Sequence, residues 1–238
     1  MTNLLIDGDI LLYQVSSALE EPVHWGDDWW TLMVDFAAAK QKVDKEIEKL
    51  MKRLKADTVI VALSDPTHNF RKDILDTYKG NRKGKRKPVV YTPLKEYVRE
   101  HYTSACFPGL EADDVLGIMA DEDNIVVSDD KDLQTVPGRL YRPSRDKLEV
   151  ITEEEADRNH LIQTLTGDAT DNYSGCPGIG PVRAQRILVE NTWDEVVQAF
   201  DKQGLGEAAA LIQARVAKIL RLENWNPLTM EVIPWNPK

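Results

Sequence analysis

Asn3-Leu4-Leu5-Ile6-Asp7-Gly8-Asp9 decides the fold. A short apolar run that ends in acids and a glycine reads as a buried strand stopped by a loop. The pattern recurs twice downstream. Thr58–Leu63 (TVIVAL), rich in β-branched residues, gives way to Ser64-Asp65-Pro66, and Asn124–Ser128 (NIVVS) runs into Asp129-Asp130-Lys131-Asp132. Between these runs the apolar residues take helical spacing. Residues 32–54 read as one long amphipathic helix through Phe36, Val43, Ile47, Leu50, Met51 and Leu54, and Thr92–Tyr102 as another with Pro93 in its first turn. Leu140–Thr152 adds one or two short strands around a turn. The alternation of strand and helix predicts an α/β fold: a mostly parallel, twisted sheet flanked by helices on both faces.

In that architecture function collects at the carboxyl ends of the strands. All three strand ends carry acids: Asp7, Asp65, and Asp130 with Asp132. A fourth acidic group lies in Gly109-Leu110-Glu111-Ala112-Asp113-Asp114-Val115-Leu116-Gly117. Here apolar residues fit a packed helix, Glu111 and Asp114 share a face at i, i+3, and Asp113 stands beside them. Alone, this could be an exposed acidic turn, as one acid after a strand could be ordinary turn chemistry. Four such groups together favour one site of oxygen ligands for a hard cation, Mg²⁺ or Mn²⁺. Thiolate or zinc-hydrolase chemistry finds no support: Cys106 and Cys176 are the only cysteines, and the four histidines are scattered.

The chain has 238 residues, 42% of them apolar and 29% charged, and a net charge of -10. Its mean hydropathy is -0.41. These are ordinary values for a soluble globular protein, and no apolar run approaches a membrane span. The net charge argues against a nucleic-acid partner, but its distribution does not. Lys79–Lys87 reads KGNRKGKRK, with six cations in nine positions, while acids mark the strand ends. A solvated loop is the plainer reading of that run. From about Thr152 the sequence turns helical. Asp168 and Asp171 again stand at i, i+3, and Gly178-Ile179-Gly180 precedes a helix with Ile187 and Leu188. Such a hairpin can leave backbone N–H groups free for a phosphate, although a plain turn is commoner. Thr192–Glu195 forms a capping box, Leu205–Leu222 reads as a further helix, and Trp225 and Trp235 read as packing anchors.

Taken in order, the pieces resemble the 5′-nuclease family, which includes flap endonucleases and the 5′-nuclease domains of bacterial DNA polymerases. They are LIDGD (Leu5–Asp9), Asp65 after a strand, Phe70-Arg71, YKGNR (Tyr78–Arg82), EADD (Glu111–Asp114), DKDL (Asp130–Leu133), GDATDN through Asn172, and GIG (Gly178–Gly180). The resemblance spans about residues 3 to 190, and the short chain looks most like the 5′→3′ exonucleases of small lytic phages.

The resemblance implies a PIN-like catalytic core over residues 1–152 with a short basic arch-like loop at about 79–92. It places a helical DNA-binding region with a helix–three-turn–helix element at 153–238. It also implies two Mg²⁺ ions, with Mn²⁺ as a substitute. Asp7, Asp65, Glu111 and Asp113 match the first metal cluster; Asp130, Asp132 and Asp171 match the second, with Asp168 nearby and Asp114 in support. Lys79 and Arg82 match the basic pair at the scissile phosphate, acting with Asp7 in catalysis. Arg71, the loop cations Lys83, Lys85, Arg86 and Lys87, and Gly178, Ile179, Gly180 and Arg183 become DNA contacts, with K⁺ at the hairpin carbonyls.

The implied activity is 5′→3′ exonuclease or flap endonuclease cleavage of DNA at duplex ends, nicks or flaps, and of RNA in RNA–DNA hybrids. Phage replication, primer removal or DNA degradation would be its setting, and a monomer, open to a replisome partner, its form. The start MTNLLIDGDILLY lacks a signal peptide's basic region, so the cytoplasm, the host's for a phage protein, is the expected location. Two alternatives remain. Asp7-Gly8-Asp9 also resembles the nucleophile motif of haloacid-dehalogenase-type phosphatases, although Leu11 stands where that motif wants Thr or Val. The other alternative is a DNA-binding module that kept the fold without the chemistry.

Overall fold

The computed structural model describes residues 2–237. A six-stranded sheet forms its centre, its strands lying side by side in the order Ser104–Ala105, Thr58–Ala62, Asn3–Asp7, Asn124–Val127, Gly138–Arg142 and Lys147–Ile151, parallel except for the final pair. Strand β1 (Asn3–Asp7) lies between β4 (Thr58–Ala62) and β6 (Asn124–Val127). Ser104–Ala105 (β5), Gly138–Arg142 (β7) and Lys147–Ile151 (β8) complete the sheet.

Successive residues of a strand point to opposite faces, so a strand covered on both sides must be apolar throughout. Leu4 and Ile6 enter the core beneath α1 (Gly8–Leu19), α2 (Phe36–Leu54) and α4 (Tyr91–His101), with Val61, Ile125 and Val127. Leu5, Val126 and Leu140 face the opposite core, against Val115 and Leu116 of α5 (Ala112–Met119). The short helix Arg71–Ile74 (α3) lies in the connection after β4.

Two local expectations need correction, and one element was not expected. Asp7 is followed by a helix with no intervening loop: its carboxylate caps α1 by accepting from the Ile10 N–H at 3.0 Å. Gly8 permits that abrupt join, since a Cβ there would lie 2.6 Å from the Ala62 carbonyl oxygen. The long helix begins at Phe36 and not at residue 32, because Asp35 caps it through the Ala37 and Ala38 N–H groups. Residues before it form an unanticipated antiparallel hairpin, β2 (Glu21–Gly26) and β3 (Trp29–Met33).

Helices follow from Glu153: α6 (Glu153–Thr166), α7 (Pro181–Ile187), α8 (Trp193–Asp201) and α9 (Gly206–Ala217). The four surround a third core of Leu161, Leu165, Leu188, Val196 and Phe200, to which α9 adds Ala210. Helix α9 ends at Ala217, short of the expected Leu222, and the chain then returns to the sheet. Ile219, Leu220 and Trp225 join the core under α5, where Trp225 stacks on Phe107 with ring centroids 5.5 Å apart. No helix among the described residues is long and apolar enough to cross a membrane.

His160 of α6 gives the fold a predictable pH dependence. Its buried Nε2–H donates to the Ala214 carbonyl of α9 at 2.8 Å, and the ring meets Trp235 edge-on. Burial, reinforced by Lys218 and Arg221, pushes its pKa down to about 3. A histidine that charges more readily unfolded than folded supports the fold fully above its unfolded pKa, near 6.5, and loses that support as pH falls. From about pH 7.5 to about pH 5 the unfolding free energy should therefore drop by about 2 kcal/mol through this residue alone. In urea titrations His160→Gln, which keeps an N–H donor, should flatten that slope; an unchanged slope refutes the assignment.

Candidate active site

Strand order reverses between β1 and β6, with β4 on one side and β7 on the other. That switch point opens a crevice at the carboxyl ends of an α/β sheet. A cleft of about 220 Å³ lies there. Eight carboxylates line it, from Asp7, Asp9, Glu111, Asp113, Asp130, Asp132, Asp168 and Asp171, with three cations, Lys79, Arg82 and Lys131.

Each group is set by local backbone. Asp7 ends β1, and its second oxygen accepts from Ser128 Oγ at 2.7 Å, tying β1 to the end of β6. Asp130 and Asp132 follow in an Asx turn, the Asp132 N–H donating to Asp130 Oδ1 at 2.8 Å. Glu111 stands at the N-cap of α5, and its N–H donates to the Asp114 carboxylate three residues on at 3.2 Å, which closes the start of the helix. Ser64 Oγ accepts from the Ala112 N–H at 2.9 Å and fixes that helix start to the end of β4.

Tyr78–Arg82 is fastened onto the turn that holds Asp168 and Asp171. The Lys79 N–H donates to the Asp171 carbonyl at 2.8 Å, Asn81 Nδ2 to that of Ala169 at 3.0 Å, and Asn172 Nδ2 to that of Thr77 at 2.7 Å. Lys79 takes a left-handed backbone, φ 54°, to point its side chain into the cleft. Its ammonium bonds Glu111 Oε1 and lies 3.4 Å from Asp171 Oδ2. Arg82 Nη2 meets Asp171 Oδ1 at 2.5 Å. The Tyr78 hydroxyl donates toward Glu111 at 2.8 Å and Asp171 at 3.0 Å.

The electrostatics divide the acids into two classes. Burial, then the charges of Asp9 and Asp130, push the Asp7 carboxyl up to about 7 despite its hydrogen bonds. Burial followed by Asp7 and Asp130 holds Asp113 well above the carboxylate range. Burial and Asp130 likewise push Asp132 up to about 7. Glu111 behaves differently: burial would raise it, but Lys79 and Arg71 prevail and leave it at about 2. Asp168 is also low: burial would raise it, but the Lys131 ammonium at 2.9 Å and the N–H groups of Thr170 and Asp171 together prevail.

Among the described residues no three acidic, histidine or cysteine groups already converge as an ion cage. Lys79 and Lys131 sit among the carboxylates as counter-ions. The donor set nevertheless fits hard divalent cations: it is all oxygen, and like-charge repulsion at Asp7, Asp113 and Asp132 is what such a cation relieves.

Two expected ligands lie outside the cleft. Asp65 splints the loop ahead of Glu111, accepting from the Gly109 N–H at 2.7 Å and from the Thr67 N–H at 2.8 Å, and these bonds hold it at about 2. Asp114 is fully buried and receives both guanidinium nitrogens of Arg71 at 2.7 Å. Arg71 in turn is 3% exposed, so it cannot serve as a DNA contact. Its remaining N–H groups donate to the carbonyls of Val216 at 2.9 Å and Lys218 at 2.6 Å, locking α3 and α5 to the end of α9.

The other expected DNA contacts are mixed. Lys83, Lys85 and Lys87 are exposed, whereas Arg86, though exposed, is paired with Glu20. Gly178, Gly180 and Arg183 face solvent. Ile179 does not: its side chain fills the third core and its N–H donates to the Cys176 carbonyl at 3.2 Å.

Sequence reasoning missed Asp9, Lys131 and Tyr78 as site residues. Asp9 carries a visible signal, as the second acid after β1, and pairs with Lys95 at 3.0 Å. Lys131 sits between two predicted ligands. Asp129, by contrast, is a turn residue accepting from Ser144 Oγ at 2.6 Å.

Comparison with known proteins agrees with this geometry. The family model described as the 5′-3′ exonuclease, N-terminal resolvase-like domain, matches residues 2–161. An exodeoxyribonuclease of Enterobacteria phage T3 is 31% identical over 99% of this chain and 93% of its own length. An exonuclease of Escherichia phage T7 is 30% identical over 98% and 93%. Among solved structures, a bacteriophage T5 flap endonuclease in complex with DNA and metal ions superposes with a TM-score of 0.71 at 16% identity, over 92% of this chain and 89% of that one. A zinc-bound T5 5′-exonuclease gives 0.64 at 17% identity, over 91% and 93%. With the full-length match to phage exonucleases and the family model over two-thirds of its length, this chain belongs to the 5′-3′ exonuclease family and is a 5′-3′ nuclease.

Proposed function

We propose that the chain is a Mg²⁺-dependent 5′→3′ exonuclease and flap endonuclease that hydrolyses DNA phosphodiesters at ends, nicks or flaps, and the RNA of RNA–DNA hybrids. One observation carries this reading: eight carboxylates and the Lys79–Arg82 pair face a single cleft at the strand ends. Asp7, Glu111 and Asp113 would hold one Mg²⁺, and Asp130, Asp132, Asp168 and Asp171 a second, with Mn²⁺ as a substitute. When bound, such a pair supplies water activation and charge stabilisation of the leaving oxygen.

The chain's own cations do the rest. Lys79 and Arg82 now neutralise Glu111 and Asp171; with the acids committed to metal, the same ammonium and guanidinium stand ready for the scissile phosphate. Lys83, Lys85, Lys87 and Arg183, with the exposed backbone of Gly178 and Gly180, would grip phosphates without reading bases. A K⁺ ion held by the hairpin carbonyls belongs to the same reading. So do a monomeric protein in the host cytoplasm, a role in phage replication, primer removal or DNA degradation, and recruitment by a replisome partner. Family membership sets the phosphatase alternative aside.

The test is single-turnover cleavage of a 5′-labelled nicked duplex and a matching flap, in Mg²⁺ and in EDTA. Metal-dependent release of short 5′ products supports the reading, and their absence on both substrates overturns it. In the same assay Lys79→Ala should slow turnover by roughly 10²–10³-fold with a smaller loss of affinity. Wild-type turnover in that variant would remove Lys79 from the chemistry.

A further inference from the structure

Two segments far apart in the chain supply the second group of carboxylates, Asp130 and Asp132 after β6 and Asp168 and Asp171 beyond the end of α6. Like charges brought together repel, so side chains that bridge the two segments must hold them in place. Two do so. Lys131 reaches Asp168 at 2.9 Å, but its side chain is 68% exposed, and a cation there competes with any entering one. Gln163 of α6 is neutral and reaches the other way, its Nε2–H donating to Asp132 Oδ1 at 2.5 Å.

The helix that carries Gln163 is itself seated on the Asp132 turn. One turn earlier on the same helix face, Asn159 Nδ2 donates to the Gln134 carbonyl at 2.9 Å. Thr135 Oγ1 closes the turn by donating to the Asp132 carbonyl at 2.8 Å. Helix and turn are therefore fixed to each other around the Gln163 amide. The other end of that amide is not satisfied: Oε1 is buried and takes no donor among the described residues. A buried acceptor without a donor destabilises a fold, and a methionine of similar size would avoid that penalty. Packing alone does not account for an amide here; the hydrogen bond to Asp132 does.

We propose that Gln163 is a positioning residue for the second metal ion, its amide holding one oxygen of Asp132 so that the carboxylate meets the cleft in a single orientation. A carboxylate has two oxygens, and a neutral donor on one of them can stay when a cation takes the group, whereas Lys131 must yield. Partners that orient a ligating group in this way are worth roughly 10–100-fold in metal affinity. The proposal rests on the two-metal reading above, and within it on Asp132 as a ligand.

The test is calorimetric titration of the full chain with Mn²⁺ in the absence of DNA, comparing wild type with Gln163→Met, Asp132→Asn and Asp113→Asn. Gln163→Met should weaken one of two Mn²⁺ sites by roughly 10–100-fold. It should be the site that Asp132→Asn abolishes, with the site lost in Asp113→Asn unchanged. In cleavage of nicked duplex the Mg²⁺ concentration for half-maximal rate should rise by a similar factor, and saturating Mg²⁺ should restore most of the maximal rate. In EDTA the variant should melt close to wild type, since the lost hydrogen bond is offset by removal of the unpaired acceptor.

Unchanged Mn²⁺ affinity in Gln163→Met, with Asp132→Asn defective, overturns the positioning role and leaves the two-metal reading standing. Weaker binding accompanied by a melting temperature several degrees lower in EDTA overturns it as well, in favour of a residue that only supports the fold. Mn²⁺ binding that Asp132→Asn leaves intact removes Asp132 from the ligands, and the proposal falls with that part of the two-metal reading.

Discussion

With Asp113 replaced by Asn, cleavage of a nicked duplex in Mg²⁺ should fall by roughly 10³-fold or more, equivalent to about 4 kcal/mol of barrier. The same protein in EDTA should melt no lower than wild type. Both expectations have one cause. Asp113 stands in the second position of α5, facing the cleft, where Asp7 and Asp130 repel its charge and burial penalises it further. Without metal the carboxylate is therefore a liability to the fold, and an isosteric amide removes it. Under the proposed two-metal reading the same carboxylate would become a ligand, one that Asn replaces poorly. Added Mg²⁺ should raise the melting temperature of the wild type by linkage and raise that of the variant less. Cleavage within tenfold of wild type, or a melting temperature several degrees lower in EDTA, would place Asp113 in the structure and not in the chemistry.

Arg71→Ala should act in the opposite way, on stability first. The guanidinium is buried against a carboxylate with no exposure of its own, and it ties three segments distant in sequence. Removing one member of a buried ion pair leaves the other charged and unpaired, at a cost of about 3–5 kcal/mol. For a chain of this size that corresponds to a melting temperature lower by roughly 10 °C. Arg71→Met with Asp114→Asn should recover a large part of the loss, since neither charge is then buried. A surface phosphate contact would behave otherwise: melting unchanged, DNA affinity lower, and a shallower salt dependence. That second outcome would return Arg71 to the DNA-binding set from which its burial removes it.

The strands and the acids at their ends were legible in the sequence because both are local. Leu4, Leu5 and Ile6 are all apolar because both sheet faces are covered, and the register of Asp7 to its strand is fixed by chain continuity. The capping box at Thr192 was readable for the same reason. The hairpin at 21–33 was not. It buries neither face, so it lacks the apolar alternation by which a strand is recognised.

Within the site, residue type showed that many carboxylates would need counter-charge, but not which counter-charge each would receive. Asp114 meets Arg71 across 43 residues of sequence, Glu111 meets Lys79 across 32, and Asp168 meets Lys131 across 37. Asp65, identical in type to Asp7 and likewise placed after a strand, turns its oxygens onto the backbone of its own loop. The sequence by itself determined the parallel sheet, the place of the site on it and its oxygen-donor chemistry, since these follow from periodicity and residue type. Only the tertiary structure decided which acids face the cleft and which are consumed in holding it together, because an acid's role is set by the cation or N–H donor that reaches it in space, and that partner is often distant in the chain.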